Sequence, residues 1–252
     1  MKTLLLSLLL ALRCYAPTPL FFAQNGASAA AFSPADVSGL TIWLVADDIS
    51  GADGDTVQTW SARTPTTINA TQATLASRPT LQTGEVNGHN AVLADGVNDL
   101  MTLSASVSST ASWTVFSVQK RSASGSLGYA LATASITPPY SPIEYGSLSR
   151  LYVASRTDQK YATIPSHAWH VLTGQDASGT LNAWVDGTAQ TLTAASATGT
   201  TDFDRLFARS NFEFSAVYVA ELIFYNRTLT TTERQNVEAY LRSAEKYGTP
   251  AP

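Results

Sequence analysis

Alternating apolar and polar positions are well developed over residues 169–187, which read WHVLTGQDASGTLNAWVDG. Side chains on a β-strand point alternately to two faces, so a period of two predicts strands. Residues 175–179 interrupt the alternation with turn-forming residues, and the pair Asp186 and Gly187 suits a tight type I′ hairpin. The pattern therefore predicts a three-stranded antiparallel meander that ends in residues 188–193.

Short apolar runs separated by turn residues continue through most of the chain. Many short strands at close spacing are typical of a β-sandwich or a β-barrel. The further segments predicted as strands are residues 40–46, 56–60, 91–94, 100–103, 113–119, 130–133, 150–155, 204–208 and 216–225.

Helical periodicity is confined to the carboxy-terminal end of the chain. Thr230 and Glu233 have the spacing of a capping box, in which each side chain bonds the backbone amide of the other residue. The apolar positions that follow at helical spacing are Val237, Tyr240, Leu241 and Ala244. Gly248 is expected to end this helix, and Pro250 forbids its continuation.

Composition limits the class of protein. The 252 residues are 44% hydrophobic and 13% charged, which fits one folded all-β domain and not a disordered polyelectrolyte. The formal net charge is −4, and no basic run extends beyond Lys120 and Arg121, so binding of nucleic acid is not expected. The single cysteine, Cys14, excludes an intrachain disulfide and a cysteine-based zinc site.

The amino terminus has the pattern of a leader. Lys2 precedes the apolar run of residues 4–12, as in the basic and apolar regions of a secretory signal, and the run is too short to span a bilayer. Residues 27–29, Ala-Ser-Ala, resemble a cleavage site. The alternative is an uncleaved arm, residues 1–35, that docks on a partner protein. The expected location is therefore extracellular, by secretion, or on a virion.

Several segments in order resemble the laminin-G-like branch of the concanavalin-A-like lectin and glucanase superfamily. These segments are residues 40–48, 69–81, 87–100, 169–187 and 220–229. The resemblance implies an all-β, two-sheet antiparallel jelly-roll sandwich over residues 36–248 with a short carboxy-terminal α-helix, followed by a tail at 249–252. Residues 60–65 depart from the family because they lack its acidic and glycine-containing loop.

Catalytic patterns are missing from the sequence. Retaining glucanases of the superfamily carry several carboxylates on one strand face, because their reaction needs two of them about 5 Å apart. Here Glu213 and Glu221 are each alone on their segments. His167 and His170 would point to opposite faces of a strand, which disfavours a shared metal. The chain is therefore expected not to be an enzyme, and a hydrogen-bonded structural role is expected for the histidines.

Oxygen-bearing side chains offer one metal hypothesis. Asp95, Asn98 and Asp99 form an oxygen-rich turn of the kind that binds Ca²⁺, and the family resemblance adds Glu221. The alternative is that these residues only form an Asx turn and cap strands. A structural calcium ion is thus a hypothesis, and no other cofactor is expected.

Aromatic residues are candidates for ligand binding because their rings can stack on sugars. Trp43 and Trp113 lie in strongly apolar strands and are expected in the core. The candidates near polar or proline-rich loops, expected to be exposed, are Trp60, Tyr140, Tyr145 and Trp184. Core packing or a protein interface is the competing explanation for these aromatics.

Three functions remain open from the sequence. The first is a non-catalytic jelly-roll module that recognises a glycan or a protein outside the cell or on a virion. The second is a structural protein of a phage capsid, fibre or tail that assembles through residues 1–35, and oligomerisation is compatible with both. The third is a degenerate glycoside hydrolase.

Overall fold

The computed structural model describes residues 32–108, 112–122, 127–134, 141–146, 150–155, 158–164, 168–195, 202–209 and 213–248. These residues form an all-β antiparallel sandwich with an α-helix at the carboxy-terminal end, as the sequence predicts. Most of the leader and the tail at 249–252 lie outside the described residues, so the expectations about them remain predictions. No helix in the described part of the chain has both the length and the apolar character needed to cross a membrane.

The strands are numbered in chain order. They are β1 (Leu40–Val45), β2 (Thr59–Trp60), β3 (Ala70–Thr71), β4 (Thr80–Val86), β5 (His89–Asp95), β6 (Met101–Val107), β7 (Trp113–Arg121), β8 (Gly128–Tyr129), β9 (Ile143–Gly146), β10 (Arg150–Ala154), β11 (Gln159–Thr163), β12 (His170–Ala177), β13 (Thr180–Val185), β14 (Thr188–Ala189), β15 (Thr193–Ala195), β16 (Phe203–Leu206), β17 (Ala208–Arg209), β18 (Glu213–Phe214) and β19 (Ala216–Tyr225). The helix α1 spans Thr231–Arg242, and single 3-10 turns occupy Pro34–Asp36, Ala46–Asp48 and Leu75–Ser77.

A large sheet of eight strands forms one layer, in the order β14-β13-β12-β7-β19-β5-β4, with β1 paired to the second half of β19. Two further sheets have the orders β15-β11-β10-β9-β8 and β16-β6-β3-β2. Strands β17 and β18 make a separate hairpin. The five-stranded sheet, β8 to β11 with β15, is called the small sheet below.

The large sheet is buried on both faces, which explains the nearly continuous apolar sequence of its central strands. On β19, Leu222 and Phe224 join the inner core shared with the other two sheets, whereas Ile223 and Tyr225 join an outer core beneath α1. Trp113 belongs to the inner core and Trp43 to the outer one, so the prediction that both tryptophans are buried is confirmed.

The meander is confirmed as β12, β13 and β14, but its first turn is shorter than predicted, since β12 continues through Ala177, and β14 covers only Thr188–Ala189. Its two tight turns use left-handed backbone at Ser178 and Gly179 and again at Asp186 and Gly187, with φ values between 50° and 90°. Asp and Gly tolerate this conformation better than most residues, so the turn signal in the sequence is physically sound.

The capping box of α1 is confirmed, because Thr230 and Glu233 bond each other's backbone amides. The expected helix end at Gly248 is wrong. The helix stops at Arg242, since Ser243 is extended, and the amide of Gly248 donates to the Ser243 carbonyl at 3.1 Å in a separate turn. That turn packs Tyr247 into the outer core.

Candidate functional site

The outer face of the small sheet carries a row of polar and aromatic side chains. On β9, Ile143 and Tyr145 belong to the inner core, so the alternation of the strand directs Glu144 to the opposite face. Antiparallel register pairs Glu144 with Tyr129 on one side and with Tyr152 on the other. The direct neighbours on this face are thus Tyr129, Glu144 and Tyr152, in that order across three strands.

A cavity of about 190 Å³ opens at this row. It lies between the outer face of the small sheet and the β17–β18 hairpin. The lining residues are Leu127, Tyr129, Glu144, Gly146, Tyr152, Gln159 and Arg209. Five strands, β8, β9, β10, β11 and β17, therefore contribute to it, and most of the lining groups can form hydrogen bonds.

Glu144 is the unusual group in the cavity. It is 5% exposed, and its Oε2 has no hydrogen-bond partner among the described residues. Burial raises the pKa of Glu144 to about 8, and the positive charge of Arg209 opposes this only in part. At neutral pH the carboxyl is therefore mostly protonated, and it can both donate and accept a hydrogen bond.

Gly146 allows Tyr152 to lie against β9. A Cβ atom at position 146 would stand 2.8 Å from Cδ2 of the Tyr152 ring, closer than such atoms approach in proteins. The missing side chain at 146 therefore lets the tyrosine ring form one wall of the cavity.

Two arginines border the site. Arg209 forms an ion pair with Glu213 across the β17–β18 hairpin. Arg150 lies with its guanidinium carbon 4.1 Å from the centre of the Tyr161 ring, and its Nη1 donates to the Tyr152 hydroxyl at 3.2 Å. A guanidinium held by one ring and one hydroxyl thus lies next to Tyr152, a wall of the cavity.

The described lining residues offer groups that can bind a polar molecule, and they include one of the two carboxyl groups that ordinary glycoside hydrolysis uses. That reaction uses two carboxyl groups on either side of the scissile bond. Among the described lining residues Glu144 is the one carboxyl, and Glu213 is engaged by Arg209.

Most of the predicted aromatic candidates do not lie at this site. The expected exposure of Trp60 and Tyr145 is wrong, because both are 0% exposed and fill the inner core between the sheets. Trp184 is partly buried, with the Arg234 guanidinium carbon of α1 4.1 Å from its ring centre. Tyr140 lies outside the described residues. Periodicity could not reveal these positions, since the opposing sheet and the helix decide which faces are covered.

The predicted calcium ligands do not converge. Asp95 pairs with Ala216 on β19, five residues before Glu221, which separates the two side chains by about 17 Å along the strand. Among the described residues no group of three or more His, Cys, Asp or Glu side chains is arranged to hold a metal. The prediction that Glu221 joins Asp95, Asn98 and Asp99 in one calcium site is therefore wrong.

The turn at 95–99 uses its own oxygens, as in the alternative explanation. Oδ1 of Asp95 accepts from the amide of Val97 at 2.7 Å, and Oδ2 of Asp99 accepts from the amide of Asp95 at 2.9 Å. Burial raises the pKa of Asp99 to about 6. A calcium ion held by Asp95, Asn98 and Asp99 alone remains a prediction, which a melting experiment with and without chelator would test.

The two described histidines, His89 and His170, each lie within hydrogen-bonding distance of an aspartate. Nδ1 of His170 lies 2.6 Å from Oδ2 of Asp186, as the structural explanation expects. His89, for which the sequence shows no partner, lies 2.6 Å from Oδ2 of Asp47. His167 lies outside the described residues.

Sequence reasoning missed Glu144 because it missed β9 and β11. The run Ile143, Glu144, Tyr145 and Gly146 does alternate, and a glutamate between two large apolar residues is a signal for a polar outer face. Its burial, however, depends on Tyr129, Arg209 and other residues that only the tertiary fold brings near it.

Comparison with known proteins gives structural neighbours alone. No protein-family model and no curated protein sequence matches the chain. The sialidase of Trypanosoma rangeli in complex with sialic acid is similar, with a TM-score of 0.55 and 13% identity over 82% of this chain and 34% of that chain. The same sialidase with 2,3-difluorosialic acid gives a TM-score of 0.57 and 13% identity over 90% of this chain and 36% of that chain.

The binding domain of Paraclostridial Mosquitocidal Protein 1 is a further neighbour, with a TM-score of 0.55 and 11% identity over 84% of this chain and 54% of that chain. The chain thus spans about a third of the sialidase structures and about half of the binding-domain structure. At such low identity these likenesses concern the fold, and they show an all-β protein.

Proposed function

We propose that this protein is a non-catalytic carbohydrate-binding module that holds one sugar ring in the cavity beside Glu144. The observation that carries the proposal is the buried Oε2 of Glu144, which lacks a partner among the described residues and lies at a cavity. Buried polar atoms are nearly always paired, so an unpaired one at a cavity indicates a group that a ligand satisfies.

The size and lining of the cavity support a sugar. Its volume of about 190 Å³ lies below the range of pockets for drug-sized molecules, which suits a single small ring. Tyr129 and Tyr152 supply ring surface, and Gln159 adds an amide. A protonated Glu144 can bond a sugar hydroxyl as donor or as acceptor.

The structural neighbours are compatible with a binding role. One is described as a complex with sialic acid and another as a binding domain, although the low identity transfers no function by itself. We place the chain in the laminin-G-like branch as part of this proposal, on the order of the five sequence motifs. We also propose an extracellular location, which a retained Met1 or Lys2 in the intact mass of the native protein would contradict.

Saturation-transfer NMR with a panel of monosaccharides tests the proposal. The panel contains glucose, galactose, mannose, N-acetylglucosamine, glucuronic acid and N-acetylneuraminic acid. At least one sugar is expected to bind, and Glu144→Leu is expected to weaken it roughly tenfold by leaving a sugar hydroxyl unpaired. Glu144→Leu removes a buried polar group without removing volume, so the variant should fold.

Glu245→Gln is the matched control, because Glu245 is an exposed glutamate on the carboxy-terminal turn. It should bind as the wild-type protein does. Failure of every sugar to bind, or equal binding by Glu144→Leu, would contradict the proposal. If the wild-type protein releases reducing sugar from an oligosaccharide and Glu144→Leu does not, the protein is instead a hydrolase.

A further inference from the structure

Arg150 is held in a defined position against Tyr152, which lines the cavity. Its guanidinium packs against the Tyr161 ring and donates to the hydroxyl of Tyr152, and Tyr152 is itself a cavity wall. Tyr152 and Tyr161 are direct cross-strand partners, with ring centres 5.6 Å apart. Two aromatic residues on neighbouring strands therefore hold one cation next to Tyr152, a wall of the cavity.

The charge of Arg150 is not balanced by a carboxylate of the described residues. Of the other described cations near the cavity, three pair with carboxylates: Arg209 with Glu213, Arg205 with Asp204 at 3.3 Å, and Lys160 with Asp158 at 3.5 Å. The fourth, Arg121, donates to the carbonyl of Gly146 at 2.8 Å. Among the described residues, Arg150 contacts the Tyr152 hydroxyl and the Tyr161 ring. Because Glu144 is mostly protonated at neutral pH, it does not cancel this charge either.

The chemistry of the guanidinium indicates the missing partner. Arginine carries five N–H donors in a planar fork whose geometry matches a carboxylate, and stacking on an aromatic ring fixes the plane of that fork. Among the described residues, the Tyr152 hydroxyl accepts one of these N–H groups. A paired arrangement of two N–H groups with a carboxylate is stronger and more directional than bonds to neutral hydroxyls.

We propose that the cavity selects acidic sugars, with Arg150 binding the carboxylate of a uronic or sialic acid whose ring lies beside Glu144. This inference rests on the proposed sugar-binding function and specifies its ligand class. The formal charge of the whole protein is −4, so attraction of an anion depends on this local arrangement and not on the overall charge.

Matched pairs of sugars test the inference. Glucuronic acid differs from glucose, and galacturonic acid from galactose, by a carboxylate in place of a hydroxymethyl group. At neutral pH and low salt, titration calorimetry is expected to show about fivefold tighter binding of the acid in at least one pair. Added salt should reduce this advantage, because the contact is near the surface.

The variant Arg150→Gln should bind the acid and the neutral sugar equally, at the affinity that the wild-type protein has for the neutral sugar. The control Arg242→Gln removes a positive charge from α1 and should keep the preference. Equal affinity of the wild-type protein for acid and neutral sugar would overturn the inference and leave the proposed function standing. A preference that survives in Arg150→Gln would also overturn it, whereas no binding of any sugar would defeat the proposed function itself.

Discussion

The indole Nε1 of Trp43 donates to Oε1 of Glu221 at 2.7 Å, and this contact joins two residues that are 178 positions apart in the chain. The other carboxylate oxygen, Oε2, accepts from the Tyr247 hydroxyl at 2.7 Å. Glu221 is 0% exposed, so a single buried carboxylate links β1, β19 and the carboxy-terminal turn. Glu221 therefore has a structural role in the described fold and not the metal-binding role expected from sequence.

Replacement of Glu221 should destabilise the protein strongly. Glu221→Ala leaves the donors of Trp43 and Tyr247 unpaired in the outer core, and we expect a loss of about 3 kcal/mol in the free energy of unfolding. Urea denaturation followed by tryptophan fluorescence measures this loss. The exposed Glu245→Gln should unfold at the wild-type urea concentration, and an equally unchanged midpoint for Glu221→Ala would refute the role assigned to the carboxylate.

Glu144 should make the stability of the protein fall as the pH rises. Its pKa is raised in the fold from the usual 4.5 to about 8, so above pH 4.5 the unfolded chain loses a proton that the folded protein retains. The contribution of the protonated Glu144 carboxyl to the free energy of unfolding is fully present below pH 4.5. It is lost progressively until about pH 8, by an amount on the order of a few kcal/mol.

Thermal unfolding of wild-type protein and of Glu144→Gln between pH 5 and pH 8 isolates this effect. The variant cannot ionise at position 144, so its melting temperature should fall less over this range. Asp99, whose pKa is also raised, titrates in both proteins and cancels in the comparison. Parallel pH profiles for the two proteins would show that Glu144 is not buried as described.

Binding of an acidic sugar should weaken above about pH 8. There Glu144 ionises and its negative charge repels the carboxylate of the ligand. Glu144→Gln resembles the protonated carboxyl, so it should bind at neutral pH and keep its affinity at higher pH. Titration of glucuronic acid at several pH values checks this, and an affinity of the wild-type protein that does not change with pH would argue against contact with Glu144.

Gly146→Ala should distort the cavity while leaving the sandwich folded. The added methyl group overlaps the Tyr152 ring, so the ring must move and sugar binding should be lost. The second change Tyr152→Leu should relieve the overlap. We expect the melting temperature of the double variant to exceed the value obtained by adding the two single effects, because the residues are in contact. Additive effects would indicate that the two residues do not touch.

The local signals in the sequence were sufficient for much of the fold. Asp186 and Gly187 form the tight turn that their backbone preferences predict, and Thr230 and Glu233 start the helix. Trp113 is buried as its apolar strand indicates. These features depend on residues within a few positions of one another, which the sequence displays directly.

The sequence by itself determined that this chain forms short antiparallel strands and one terminal helix, because the period of its apolar residues is a local property. The tertiary structure alone decided that Trp60 and Tyr145 are covered by the opposing sheet and that Glu144 faces a cavity. Burial depends on strands that are distant in the chain, and burial is what raises the pKa of Glu144. The candidate site therefore becomes visible only when β8, β9, β10, β11 and β17 are assembled.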